Sequence, residues 1–237
     1  MEILEYPSSK AEEKVKSIID RGLGFSDDAH GDVLKILSDV KQNGDKALIK
    51  YTNKFDAKDL KIEDLVVSED EYIKAEELVD DDFKRSLERA VSQIESFHKR
   101  QLDKSWFVNE REGVFTGQMV NPVDAAGVYA PGATGGKTPL VSSVLMGGIP
   151  AKIAGVKNIS LMTPPMEDGS INPYMLVAAK RVGIDRVYKA GSAWAIAALS
   201  YGTETVDKVD VIVGPGNIYV TLAKKIISGS TGNRNDW

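Results

Sequence analysis

From residue 123 onward, apolar β-prone runs at Ala125–Tyr129, Asn158–Met162, Arg186–Ala190 and Asp210–Val213 alternate with helical stretches near 139–154, 173–182, 193–201 and 217–227. Successive strands that each wait for a helix must run parallel, because the helix is the crossover that returns the chain to the same sheet edge. Runs this continuously apolar are covered on both faces, so the pattern predicts an α/β fold with a doubly wound parallel sheet. Asn172-Pro173 can cap and open one of these helices, and Gly183 can end it in the left-handed conformation.

The first half of the chain is helical. Ser9-x-x-Glu12 is placed to cap a first amphipathic helix bearing Val15, Ile18 and Ile19. Val33, Ile36, Leu37 and Val40 repeat at helical spacing, and Asn43-Gly44-Asp45 supplies a left-handed stop and a new cap before Leu48, Ile49 and Tyr51. Two more helices follow between Ser68 and Gln101, the second with Phe83, Leu87, Ala90, Val91, Ile94 and Phe97 on one stripe. Trp106–Val108 and Gly113–Val120 flank a polar turn and predict a hairpin. We therefore divide the chain into a helical region with a hairpin over 1–122, the sheet domain over 123–227 and a polar tail over 228–237.

Several function classes drop out on composition. Thirty basic against 35 acidic residues leave a formal charge of −5, which disfavours nucleic acid and anionic membranes as partners. With no cysteine there is no disulfide, thiolate metal site or cysteine nucleophile, as suits a cytoplasmic protein. No apolar run approaches the ~20 residues that span a bilayer. The two histidines, His30 in a polar connection and His98 at a helix end, read as solvated or structural, and Asp80-Asp81-Asp82 reads as a helix start. No catalytic residue emerges.

What remains is a set of turns. Val211-Ile-Val-Gly-Pro-Gly-Asn217 carries a buried strand through Gly214 and Gly216 into a helix, placing free backbone N–H groups where phosphate binds, with Asn217 able to cap. Such a turn also occurs for geometry alone. Tyr129 ends the first strand of the sheet and Gly191-Ser-Ala-Trp194 opens a second helix after another strand, so three loops converge on the edge where open α/β sheets bind ligands. Tyr129 can stack on a planar cofactor there or simply cover the sheet. Gly132-x-x-x-Gly136-Lys137-Thr138 is one residue short of the phosphate-loop pattern and runs into Pro139, which argues against ATP or GTP.

Val128-Tyr-Ala-Pro-Gly132, Ser142-Ser-Val-Leu-Met146, Ile149-Pro-Ala-Lys-Ile-Ala-Gly-Val156, Ala197-Ala-Leu-Ser-Tyr-Gly-Thr203 and Val213-Gly-Pro-Gly-Asn-Ile-Tyr-Val-Thr-Leu-Ala-Lys224 resemble histidinol dehydrogenase. The likeness extends through Gly44-Asp-Lys-Ala-Leu48, Tyr51-Thr-Asn-Lys-Phe-Asp56 and Ile94-Glu-Ser-Phe-His98, up to about Ile227. It implies a Rossmann-like domain, a homodimer, and oxidation of L-histidinol through L-histidinal to L-histidine with two NAD and a zinc ion. By the same resemblance Tyr129 and Asn217 contact NAD, beside Gly214 and Gly216 of the turn. Trp194 stands where the family usually has a glutamine in Gly-Gly-Ala-Gln-Ala-Ile, and the loop after Tyr129 is longer than the family's. The family's acid-base Glu-His pair, substrate serine and zinc ligands map onto no residue of 1–237, so the chain is expected to be a truncated N-terminal portion, catalytically incomplete alone. A non-catalytic dinucleotide-binding module, or one half of a split enzyme, is the competing expectation.

Overall fold

A computed structural model describes residues 3–19, 27–132 and 136–228. Helices α1 (Ser9–Ile19), α2 (Asp27–Phe55), α3 (Glu69–Leu78) and α4 (Asp81–His98) come first. The hairpin β1 (Trp106–Arg111) and β2 (Val114–Gln118) follows. Then β3 (Ala125–Tyr129), α5 (Val141–Ile153), β4 (Asn158–Thr163), α6 (Pro173–Val182), β5 (Arg186–Lys189), α7 (Ser192–Tyr201), β6 (Val211–Val213) and α8 (Ile218–Ile227) alternate as the sequence predicts.

The four strands of the second half form one parallel sheet in the order β5-β4-β3-β6. Because strand side chains alternate, each strand feeds two cores. Ala126, Val128, Ile159, Leu161 and Val187 face the layer built from α3 to α6. Tyr129, Met162, Tyr188 and Ile212 face the layer built from α2, α7 and α8. Helix α7 is apolar all round and its residues Ala193 to Ser200 are buried, since α2 covers the side that the sheet does not. The β5 edge is closed by residues 65–67, where the Val67 N–H donates to the Val187 carbonyl and the Lys189 N–H to the Leu65 carbonyl. Helices α2, α3 and α4 thus belong to the same two cores as the sheet.

Local chemistry explains the boundaries. Gly44, at φ 51 and ψ −131, breaks α2 as Asn43-Gly44-Asp45 predicts, and the carboxylate of Glu204 accepts the Asp45 N–H at 2.8 Å to restart the helix. Ser68 and Glu71 form a reciprocal capping box on α3, and Asp80 accepts the Phe83 N–H at the start of α4. Asn172 caps α6 ahead of Pro173, and Gly183 ends it at φ 73. The first cap lies one residue earlier than the Ser9-Glu12 spacing suggests: Ser8 Oγ accepts the Ala11 N–H. Val15, Ile18 and Ile19 on α1 are exposed, as is every residue of the hairpin, where Phe107 and Phe115 stack at 5.5 Å.

Candidate functional site

The strand order reverses between β3 and β6, and there the ends of two adjacent strands and two helix N-termini meet. Gly214 leaves β6 at φ 112, with its α-carbon pressed against the end of β3. A Cβ there would overlap the Tyr129 carbonyl oxygen and lie 3.0 Å from its carbon. Only glycine satisfies both the conformation and the approach. At Gly216 a Cβ would run into the Val220 side chain, at 2.9 Å from Cγ2. Asn217 then caps α8, its side-chain oxygen accepting the Val220 N–H at 3.1 Å. Gly216 and Asn217 are exposed, so the first turn of α8 opens to solvent as an anion-receptive helix end. From within that helix the half-buried Lys224 reaches back and donates to the Gly214 carbonyl at 2.6 Å, and burial pulls its ammonium down to about 8.

Tyr129 lies beneath this crevice. Its ring is 3% exposed and packed in the α2/α7/α8 core, while its hydroxyl accepts the Ser192 N–H at 3.0 Å at the first turn of α7. Burial pushes the phenol up to about 12, so it is neutral at physiological pH. Ser192 itself sits at φ 46, in the left-handed region a serine seldom occupies. The structure therefore brings Tyr129 and the α7 turn into direct contact, with Gly214 against the Tyr129 backbone, and puts Asn217 on the neighbouring rim.

Beside these turns opens a cleft of about 540 Å³, within the range of small-molecule sites. Tyr51, Phe55 and Asp56 from the end of α2 line it with Ser192, Trp194 and Asn217, and Asp32, Lys35 and Lys54 stand at its rim. Trp194 is 4% exposed and stacks on Phe55 at 5.3 Å and on Tyr51 at 5.9 Å, both near-parallel. Its indole N–H has no partner among the described residues. In place of an amide able to donate and accept, the α7 loop presents an aromatic wall.

Asp56 is the residue that sequence reasoning passed over. Its backbone N–H ends α2 on the Thr52 carbonyl, and its carboxyl tucks in beside the α7 turn, where Oδ2 would lie 3.0 Å from a Cβ on Gly191. That oxygen is buried without a hydrogen-bond partner among the described residues, and burial raises the carboxyl to about 7. The signal available in the sequence was the run Tyr51-Thr-Asn-Lys-Phe-Asp56, in which an acid ends a helix among aromatics.

The remaining candidates lie elsewhere. His98 is half-buried, with Nδ1 2.6 Å from Gln101 Oε1, and His30 is exposed on α2. The phosphate-loop candidate is only partly visible, since residues 133–135 of Gly132 to Thr138 lie outside the described residues, as do residues 229–237 of the polar tail. Among the described residues no three His, Cys, Asp or Glu side chains come together to hold a metal ion. No described helix is long and apolar enough to cross a membrane.

A family model for histidinol dehydrogenase matches residues 20–233. The chain is 49% identical over 222 residues to histidinol dehydrogenase of Desulfotalea psychrophila, covering 94% of this chain and 51% of that protein. It is 46% identical over 210 residues to the Carboxydothermus hydrogenoformans protein of the same name, covering 89% and 48% respectively. The crystal structure of histidinol dehydrogenase from Elizabethkingia anophelis superposes with a TM-score of 0.79 at 45% identity, over 86% of this chain and 46% of that one. The chain spans about half the length of the curated relatives it matches. With the glycine turn, the switch-point crevice and helices α2 to α4 all inside the matched region, the chain belongs to the histidinol dehydrogenase family of oxidoreductases.

Proposed function

We propose that this chain supplies the NAD-binding part of a histidinol dehydrogenase, the activity that oxidises L-histidinol through L-histidinal to L-histidine. The observation that carries the reading is the crevice between β3 and β6, where Gly214 lets two strand ends touch and the exposed start of α8 faces a cleft walled by Phe55, Trp194 and Tyr51. Helix N–H groups suit the pyrophosphate, and aromatic walls suit the planar rings of a dinucleotide. In this assignment Asn217, Gly214 and Gly216 form the phosphate turn, and Tyr129 holds the α7 turn in place through the Ser192 amide.

Oxidising an alcohol requires a base for its proton and, in the mechanism the family resemblance implies, a zinc ion to stabilise the alkoxide. The described residues do not fit such a metal. We assign this chain cofactor recognition, within a cytoplasmic homodimer of the family type, and no turnover of histidinol by the 237-residue polypeptide alone. Isothermal titration with NAD tests the first assignment: saturable binding supports it, and absence of heat at millimolar NAD overturns it. NADH formation from histidinol by the purified chain, at a rate above the no-enzyme control, overturns the second.

A further inference from the structure

Asp56 is a carboxyl left without a role. It lines the ligand cleft, it forms no hydrogen bond or ion pair among the described residues, and one of its oxygens is sealed from water. Burying an acceptor unsatisfied is costly, so such a group persists where something else uses it. The neighbouring groups do not. Lys35 pairs with Asp32 at 3.6 Å, and Lys54 lies over the Phe55 ring at 4.9 Å. Tyr129 gives its hydroxyl oxygen to the Ser192 N–H, and Tyr219, across the cleft on α8, makes no hydrogen bond to the carboxyl. Thr52, one turn back, likewise has a buried hydroxyl without a partner.

We propose that Asp56 is the specificity-determining acceptor of this cleft, its cleft-facing carboxyl oxygen taking a hydrogen bond from a ribose hydroxyl of the dinucleotide bound there. The assignment rests on the NAD reading above. In doubly wound sheets an acidic side chain beside the phosphate turn reads the ribose diol, and here that acid comes from the end of a covering helix instead of from a strand. The cleft favours a neutral diol over a cation, because Lys35 and Lys54 balance Asp32 and Asp56 around it. Ser192, in the same lining, stands beside the proposed contact.

The cleft-facing oxygen of an ionised carboxylate is a stronger acceptor than that of a carboxylic acid, so NAD binding should strengthen as Asp56 ionises. With its titration near 7, the ionised fraction rises roughly tenfold from pH 6 to pH 8. The test is calorimetric titration of NAD into the full chain at pH 6, 7 and 8, with Asp56→Asn and Asp56→Ser alongside. We expect the wild-type Kd to fall about tenfold across that range. The variants should bind at least about tenfold more weakly at pH 8, with no slope. Wild-type NAD binding that ignores pH, or a variant that keeps the slope, overturns the role of Asp56 and leaves the NAD reading intact. No NAD binding by the wild type at any pH overturns both.

Discussion

Replacing Gly214 by alanine tests the geometry on which the site depends. Two costs add. An L-residue forced to φ 112 carries backbone strain of about 1–3 kcal/mol. The new methyl would also overlap the Tyr129 carbonyl oxygen, at 3.0 Å from its carbon and 3.2 Å from the Tyr129 nitrogen. Those neighbours are main-chain atoms of β3, hydrogen-bonded on both sides to β4 and β6, so they cannot swing away as a side chain would. Overpacking against an unyielding neighbour costs about 1–3 kcal/mol more, for a total near 4 kcal/mol. That is a large share of the ~5–15 kcal/mol by which domains are stable. Urea unfolding followed by circular dichroism should show the midpoint falling with an unchanged slope. NAD affinity should fall even in the variant that remains folded, because the turn is displaced. Gly31→Ala is the internal control: it lies in α2 with nothing within 4 Å of an added Cβ, and should gain about 0.5–1 kcal/mol. A loss below about 1 kcal/mol for Gly214→Ala would refute the argument that the two strand ends are in rigid contact there.

Three further outcomes follow from the same structure. Asp56 is raised to about 7 when folded, so its contribution is fully present below the unfolded-state value near 4 and is lost as pH rises through 7. Asp56→Asn should therefore gain on the wild type by about 2.5 kcal/mol between pH 5 and pH 7, read from paired urea midpoints; a constant difference would show that the carboxyl is not desolvated. Lys224 is lowered to about 8 by burial, so the folded state sheds its proton first and stability attributable to it rises from about pH 8 toward 10.5. Lys224→Met should lack that rise, worth about 2 kcal/mol after solvent screening, and parallel wild-type and variant profiles would dismiss it. Trp194→Gln removes two ring stacks from a buried position and should cost about 3 kcal/mol in thermal or urea unfolding.

Much of the fold was legible because its signals are local. The four strands and four helices after residue 123 end within one or two residues of where apolar runs, Asn172-Pro173 and Gly183 put them. Gly44 breaks α2 for the reason its neighbours suggest. The Gly214 turn was legible too, as was the capping role of Asn217. Less legible was what each residue faces. The stripe Val15, Ile18 and Ile19 forms a helix as its spacing demands, yet its side chains are exposed, since periodicity shows that a face is apolar and says nothing of what covers it. Tyr129 ends a strand at the ligand edge, but strand alternation turns its ring into the core and leaves only its hydroxyl to reach Ser192.

The sequence by itself determined the class of fold, the position of the Gly214 turn and the family, because strand-helix period, glycine geometry and motif identity are written along the chain. Tertiary structure alone decided the site's chemistry. Asp56, Phe55 and Tyr51 lie more than a hundred residues from Ser192 and Trp194, and only the docking of α2 over α7 joins them in one cleft. Burial, which lifts Asp56 and depresses Lys224, is likewise a property of that packing and of no local pattern. A carboxyl with an ordinary sequence context acquires an unusual proton affinity because the fold removes its water and, among the described residues, supplies no partner.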